Sequence, residues 1–192
     1  MLVSELNKLS EEKLIKLIKT DENIFYFIKN PSKKVLLEII KYQGNAIQFI
    51  ENPSEKVQLT AVKENGHAIQ YIKNPSEKVQ LTSVSNEGHS IRHIKNPSEK
   101  VQIKAVRKNG YAIQHIKNPS EQVQIEAVRQ NGYAIQYIKN PCEKAQLEAV
   151  NNYIFLFKYI PNPCKKVKNI LLNDDKFILE PNPNSVEYIK NL

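Results

Sequence analysis

A chain of 192 residues with 41% hydrophobic content is long enough for one folding unit, or one repeat array, with a continuous apolar core. Its formal net charge of +8 eases approach to nucleic acid, anionic membranes or acidic proteins without choosing among them, and its richness in Lys, Asn and Ile is a compositional source for the same excess. Neither a secretory leader in Met1 to Ser10 nor a run of roughly 18 apolar residues is present, the densest run being Ile154 to Phe157, so the expectation is a soluble, cytoplasmic protein that starts at Met1.

In chain order, residues 1–30 read as an N-terminal capping unit. Ser10-Glu11-Glu12-Lys13 aligns with Ser32 onward but lacks the Asn-Pro and Gly of later copies, and Phe25 and Phe27 supply large packing groups. Residues 31–162 then hold six 22-residue repeats. Asn-Pro recurs at Asn30-Pro31, Asn52-Pro53, Asn74-Pro75, Asn96-Pro97, Asn118-Pro119, Asn140-Pro141 and Asn162-Pro163, always 22 residues apart. All five glycines, Gly44, Gly66, Gly88, Gly110 and Gly132, share one other phase, and a fixed period of this size is the signature of a solenoid. Residues 163–192 read as a C-terminal capping unit, because the step to Asn182-Pro183 shrinks to 20 residues and Phe155, Phe157 and Phe177 enlarge the packing groups.

Within a repeat, Asn74-Pro75-Ser76-Glu77 reads as a helix start, with Asn as the cap, Pro at the first helical position and Glu closing a capping box. Val79, Leu81, Ser83 and Val84 fall on one arc, and Gly88 is expected to stop the helix in a left-handed conformation after about twelve residues. The segment His67 to Ile72 then gives one to two turns of α or 3₁₀ helix, with Ala68, Ile69 and Ile72 on its core side. Such a pair cannot bury its apolar side alone, so neighbours must stack. The fold class is all-α, an α-solenoid of 22-residue helix–short-helix repeats, superhelical in form.

Two rows stand out from that frame. Gln58, Gln80, Gln102, Gln124 and Gln146 lie between the apolar positions of the first helix and predict a buried ladder, since an amide can both donate to and accept from the next repeat's loop. The second row is a strip opposite the core side of the short helix: His67, Gln70 and Tyr71; His89, Arg92 and His93; Tyr111, Gln114 and His115; Tyr133, Gln136 and Tyr137. Tyr and Arg bury large area yet keep a polar end, which suits a binding surface. The competing reading is that each aromatic covers its neighbour's short helix.

The chemistry of sites adds little. His89 and His93 have the i, i+4 spacing of metal ligands, but no Glu follows His89, no carboxylate or Cys lies in phase, and Tyr replaces His in sister repeats, so no metal and no cofactor is expected. No nucleophile elbow, phosphate-binding loop or carboxylate pair breaks the periodicity, and the chain is not expected to be an enzyme. Cys142 and Cys164 stand where other copies carry Ser and are expected to be free thiols in a reducing compartment, because adjacent repeats sit about 8–10 Å apart, beyond disulfide reach. Lys73, Lys95, Lys117 and Lys139 form one row, and Lys56, Lys78, Lys100, Lys144 and Lys166 another beside Glu55, Glu77, Glu99, Glu121 and Glu143. Lys100, Lys104, Arg107 and Lys108 make the most concentrated basic patch and the alternative site, one for phosphates.

The pattern Ala-Val-x-x-Asn-Gly-x-Ala-Ile-x-Tyr-Ile, clear at Ala61 to Ile72 and Ala127 to Ile138, resembles short helical repeats of unknown function found in bacteria, phages, large DNA viruses and protists. In architecture it is similar to variant leucine-rich, HEAT and armadillo solenoids. The resemblance covers about residues 10–162, implies the fold and carries over no catalytic residues; the company of that family implies a phage or mobile-element inhibitor of a host defence complex. The functional expectation is a repeat scaffold that binds a macromolecular partner, a protein first. The alternatives are nucleic-acid binding through the lysine edges and a structural spacer or self-assembling homo-oligomeric rod, with no membrane role.

Overall fold

Each interior repeat begins where the chain reverses at Asn-Pro. Asn30, Asn52, Asn74, Asn96 and Asn118 adopt left-handed backbone, with φ between 47° and 49°, a conformation that Asn tolerates better than other residues bearing a Cβ. Two residues later Ser takes an extended conformation, and the helix opens on Glu, or on Lys33 after Asn30. The computed structural model describes residues 3–173. Its α-helices are α1 (Val3–Leu6), α2 (Glu11–Thr20), α3 (Lys33–Ile39), α4 (Glu55–Glu64), α5 (Glu77–Asn86), α6 (Glu99–Lys108), α7 (Glu121–Gln130), α8 (Glu143–Asn152) and α9 (Lys165–Asn173). Between them run six-residue 3₁₀ helices, η1 (Glu22–Phe27), η2 (Gly44–Phe49), η3 (Gly66–Tyr71), η4 (Gly88–His93), η5 (Gly110–His115), η6 (Gly132–Tyr137) and η7 (Ile154–Tyr159).

The result is an all-α solenoid in which helix and 3₁₀ helix alternate and successive pairs pack on one another. The chain divides into two compact units, Met1–Val101 and Gln102–Leu192. The short step to Asn182-Pro183 and Phe177 lie outside the described residues.

The N-terminus of each helix differs from the sequence expectation. Ser, not Asn, is the cap: Ser76 Oγ accepts the N–H of Val79 at 3.4 Å, and Ser32 and Ser120 do the same for Val35 and Val123. Pro75 therefore precedes the cap, and Glu77 is the first helical residue, so no capping box forms. The left-handed turn at Asn74 places the reversal two residues before the extended cap position, which leaves Glu77 at the positive end of the helix dipole. Glu77 also serves the next repeat, because Ser98 Oγ donates to Glu77 Oε1 at 2.7 Å; Ser76 Oγ reaches Glu55 in the same way at 2.5 Å.

The C-terminus is corrected as well. Among the described residues no glycine has positive φ, and the helix ends one residue earlier. Asn65 turns extended while its N–H still reaches Ala61 O, and its Oδ1 accepts the N–H of His67 at 2.9 Å. One residue thus closes α4 and opens η3, leaving α4 ten residues long. Glycine is needed for space. A Cβ on Gly110 would stand 2.5 Å from the carbonyl oxygen of Ala127, one on Gly66 would stand 2.7 Å from that of Ser83, and one on Gly44 would collide with that of Ala61.

The core follows the period. Ala61, Val62, Ala68 and Ile69 are at most 1% exposed, and their counterparts Ala127, Val128, Ala134 and Ile135 are fully buried. Burying one such Ile is worth about 1.5–3 kcal/mol, so each repeat contributes a small apolar set that becomes a core only against its neighbour. Ser83 and Ser90 replace alanines in this layer. Both are fully buried, their hydroxyls lie 2.7 Å apart, and Ser83 Oγ donates to Gly66 O at 2.8 Å.

The glutamine row is buried at Gln124 and Gln146 and half-buried at Gln58, Gln80 and Gln102, and its bonds point both ways. Gln58, Gln80, Gln124 and Gln146 each donate an amide N–H to the carbonyl of the Pro in their own Asn-Pro turn at 2.9–3.1 Å. The amide oxygens of Gln124 and Gln146 accept the backbone N–H of Cys142 and Cys164 in the following repeat at 2.8 Å. Gln124 and Gln146 thereby each pin their own turn and the next helix start with one side chain. Both cysteines are unpaired thiols.

Candidate functional site

The exposed edge of the short helices is set by elimination. In η3, Ala68 and Ile69 face inward and Gly66 meets the next helix, which leaves Gln70 and Tyr71 exposed and His67 half-buried. The structure sorts the twelve strip residues into two tiers. Gln70, Tyr71, Arg92, Gln114, His115, Gln136 and Tyr137 are exposed, whereas His67, His89, His93, Tyr111 and Tyr133 are half-buried.

The tiers interlock through one recurring offset. The first ring of one short helix meets the last ring of the next: His67 with His93, centroids 5.6 Å apart and near perpendicular; Tyr111 with Tyr137, 5.7 Å apart and perpendicular; Tyr133 with Tyr159 at 6.2 Å. Edge-to-face pairs of this kind add about 0.5–1.5 kcal/mol beyond burial. The ring pairs fit the reading in which each aromatic covers its neighbour's short helix. In each pair the first ring is half-buried; of the last rings Tyr137 is exposed, while His93 and Tyr159 are half-buried.

Polar groups on this edge are tuned by the same packing. Arg92 Nε donates to His93 Nε2 at 3.0 Å. His67 Nδ1 is buried without a hydrogen-bond partner, and burial, followed by the nearby Arg92 charge, holds the imidazole below its ordinary titration range against the weaker pull of Glu87.

Extending the phase to the ends finds residues that the sequence reading of the strip left out. Phe49 occupies the Tyr71 phase and is 59% exposed; Phe27 occupies it one repeat earlier and is 52% exposed, beside the still more open Tyr26. In the second unit Phe155 and Tyr153 are exposed, and Lys158 Nζ lies 5.0 Å from the Tyr159 ring and 5.8 Å from that of Phe155. The signal was the 22-residue phase itself.

The basic patch is less available than its composition implies. Lys100, in the first unit, pairs with Glu77 at 3.6 Å. In the second unit Arg107 makes a bidentate pair with Glu126, Nε to Oε2 at 2.9 Å and one Nη to Oε1 at 2.8 Å, while Lys104 and Lys108 are exposed. The Arg107 guanidinium, through its hydrogen bonds first, holds the Glu126 carboxyl below the usual range. Among the described residues no three His, Cys, Asp or Glu side chains come together as a metal site, and no helix is long and apolar enough to cross a membrane. No family model, curated protein or solved structure matches the chain.

Proposed function

We propose that this chain is a non-catalytic repeat scaffold whose 3₁₀ edge grips a protein partner in the cytoplasm. The observation that carries the reading is the open upper tier of that edge. Phe49 and Tyr71 in the first unit, and Tyr137 in the second, leave two-fifths to three-fifths of their surface exposed, and Gln70 and Arg92 in the first unit and Gln114 and Gln136 in the second are exposed along the 3₁₀ helices. Rigid aromatic groups flanked by amides and guanidinium are the composition of interface hot spots. Gln124 and Gln146, the capping Ser32, Ser76 and Ser120, and the Arg107–Glu126 pair are satisfied internally.

The test is affinity capture from the source cell with wild-type chain and with the Tyr71→Ala/Tyr137→Ala double variant, each with and without nuclease. A protein that survives nuclease and is lost from a variant with unchanged circular dichroism is the expected result. Capture that depends on nucleic acid would shift the function to the lysine edges, and capture indifferent to the two tyrosines would remove the 3₁₀ edge from the account.

A further inference from the structure

Within the first unit the 3₁₀ edge is a row of three hollows of nearly equal size, about 590, 650 and 640 Å³. Their linings repeat in phase. Each has an Ile (Ile28, Ile50, Ile72), the Asn-Pro turn that follows it, and the last ring of the next short helix (Phe49, Tyr71, His93). One further phase changes along the row: Leu36 in the first hollow, Gln58 in the second, Gln80 in the third. Cations enter in the same direction. The first lining carries no charged residue, the second has Glu51 with Lys73, and the third has Lys73 with Lys95. The row thus runs from an apolar aromatic hollow to a polar basic one.

What lies along such a row is constrained by spacing. Helices packed through Gly and Ala stand about 8–10 Å apart, so the hollows recur at that interval. A polyproline-II chain repeats its side-chain direction every three residues, about 9.3 Å, and matches. A β-strand repeats every two residues, about 6.7 Å, and also needs a sheet edge to pair with, which the described all-α residues do not offer. A helix returns to the same face after seven residues, about 10.5 Å, beyond that interval.

We infer that this edge is a docking groove for a polyproline-II peptide. Counted from the Phe49 end, the peptide carries proline or another apolar residue at i, a hydrogen-bonding residue at i+3, where Glu51, Gln58 and Lys73 line the second hollow, and a carboxylate at i+6, facing Lys73 and Lys95. Aromatic-lined grooves suit such peptides because the ligand is already extended and loses little entropy on binding. The inference rests on the proposed partner-binding function and specifies its ligand.

The experiment is selection of a random twelve-residue phage-displayed peptide library on the full chain, followed by fluorescence anisotropy of the enriched sequences as synthetic peptides. The expected enrichment has period three, with an acidic residue six positions from the first apolar one. Phe49→Ala should weaken binding by about tenfold. Lys73→Glu with Lys95→Glu should weaken it similarly, and replacing the peptide's acidic residue by Lys should restore binding to that double variant. Circular dichroism controls for folding in each case. No enrichment, a period of two, i, i+4 or i, i+7 spacing, or a charge swap that fails to rescue would each overturn the inference. If lysate capture still depends on Tyr71 and Tyr137 while the library fails, the partner-binding function stands and only the peptide reading falls.

Discussion

The joint at Gly66 and Ser83 in the first unit and the joint at Gly110 and Ala127 in the second share a backbone and differ in filling. In both, a Cβ on the glycine would meet the facing carbonyl oxygen at 2.5–2.7 Å. In the first, a buried hydroxyl pair occupies the small-residue layer; in the second that layer is alanine throughout. Their outer surfaces diverge further. Thr60 and Thr82 turn back onto the carbonyls of Lys56 and Lys78 in their own helices, while at the same phase Glu126 and Glu148 receive Arg107 and Arg129 from the preceding helices. The lesson is a hierarchy. Backbone approach is the invariant, core chemistry can vary if polar groups pair, and the outer face varies freely.

Three measurements break or sharpen that comparison. Gly66→Ala and Gly110→Ala should each cost about 1–3 kcal/mol in denaturant unfolding, near the top of that range, because a backbone carbonyl cannot yield. Gly132→Ala should cost less, since the group it meets at 2.7 Å is Leu156 Cδ1, the end of a flexible side chain. Equal costs at all three positions would mean that backbone approach is not the constraint.

The hydroxyl pair comes second. Ser83→Ala leaves Ser90 Oγ buried without that partner and should cost about 1–2 kcal/mol, whereas Ser90→Ala leaves Ser83 bonded to Gly66 O and should cost less. The double alanine variant restores the sister repeats' layer and should lie within about 0.5 kcal/mol of wild type. Additive losses in this cycle would show that the hydroxyls act independently.

The smallest effect belongs to the outer face. Because the Glu126 carboxyl is held below its ordinary range, its stabilising contribution is complete above about pH 4.3 and is lost as pH falls through the lowered folded-state value. The melting-temperature gap between wild type and Glu126→Gln should therefore be present at pH 7 and narrow as pH falls below the ordinary carboxyl range. A gap constant with pH would assign the effect to packing rather than charge.

The period, the alternation of long and short helix, the core phases and the glutamine ladder were legible because each depends on residue type at a fixed repeat of the chain. The helix ends were not. Asn74 and Ser76 are both competent caps two residues apart, and only the left-handed backbone at Asn74 decides between them. Glycine gives one sequence signal for two different needs, positive φ and absent Cβ, and separating them requires the facing carbonyl of the next repeat. The strip was half legible: its residues were placed on the right edge, but which rings meet follows from an offset of 26 residues between ring partners such as His67 and His93, fixed only by stacking. The Arg107–Glu126 pair, 19 residues apart, was hidden for the same reason.

Those offsets also carry a kinetic meaning. The bonds that join one repeat to the next span about one period: 18 residues for Gln124 with Cys142, 19 for Arg107 with Glu126, 21 for Glu55 with Ser76. A chain wired this way closes only short loops at each step of folding, and the entropy of closure is met one repeat at a time. Its topology is that of a zipper, able to start at any well-formed pair and grow in both directions, rather than one that waits for distant segments to find each other.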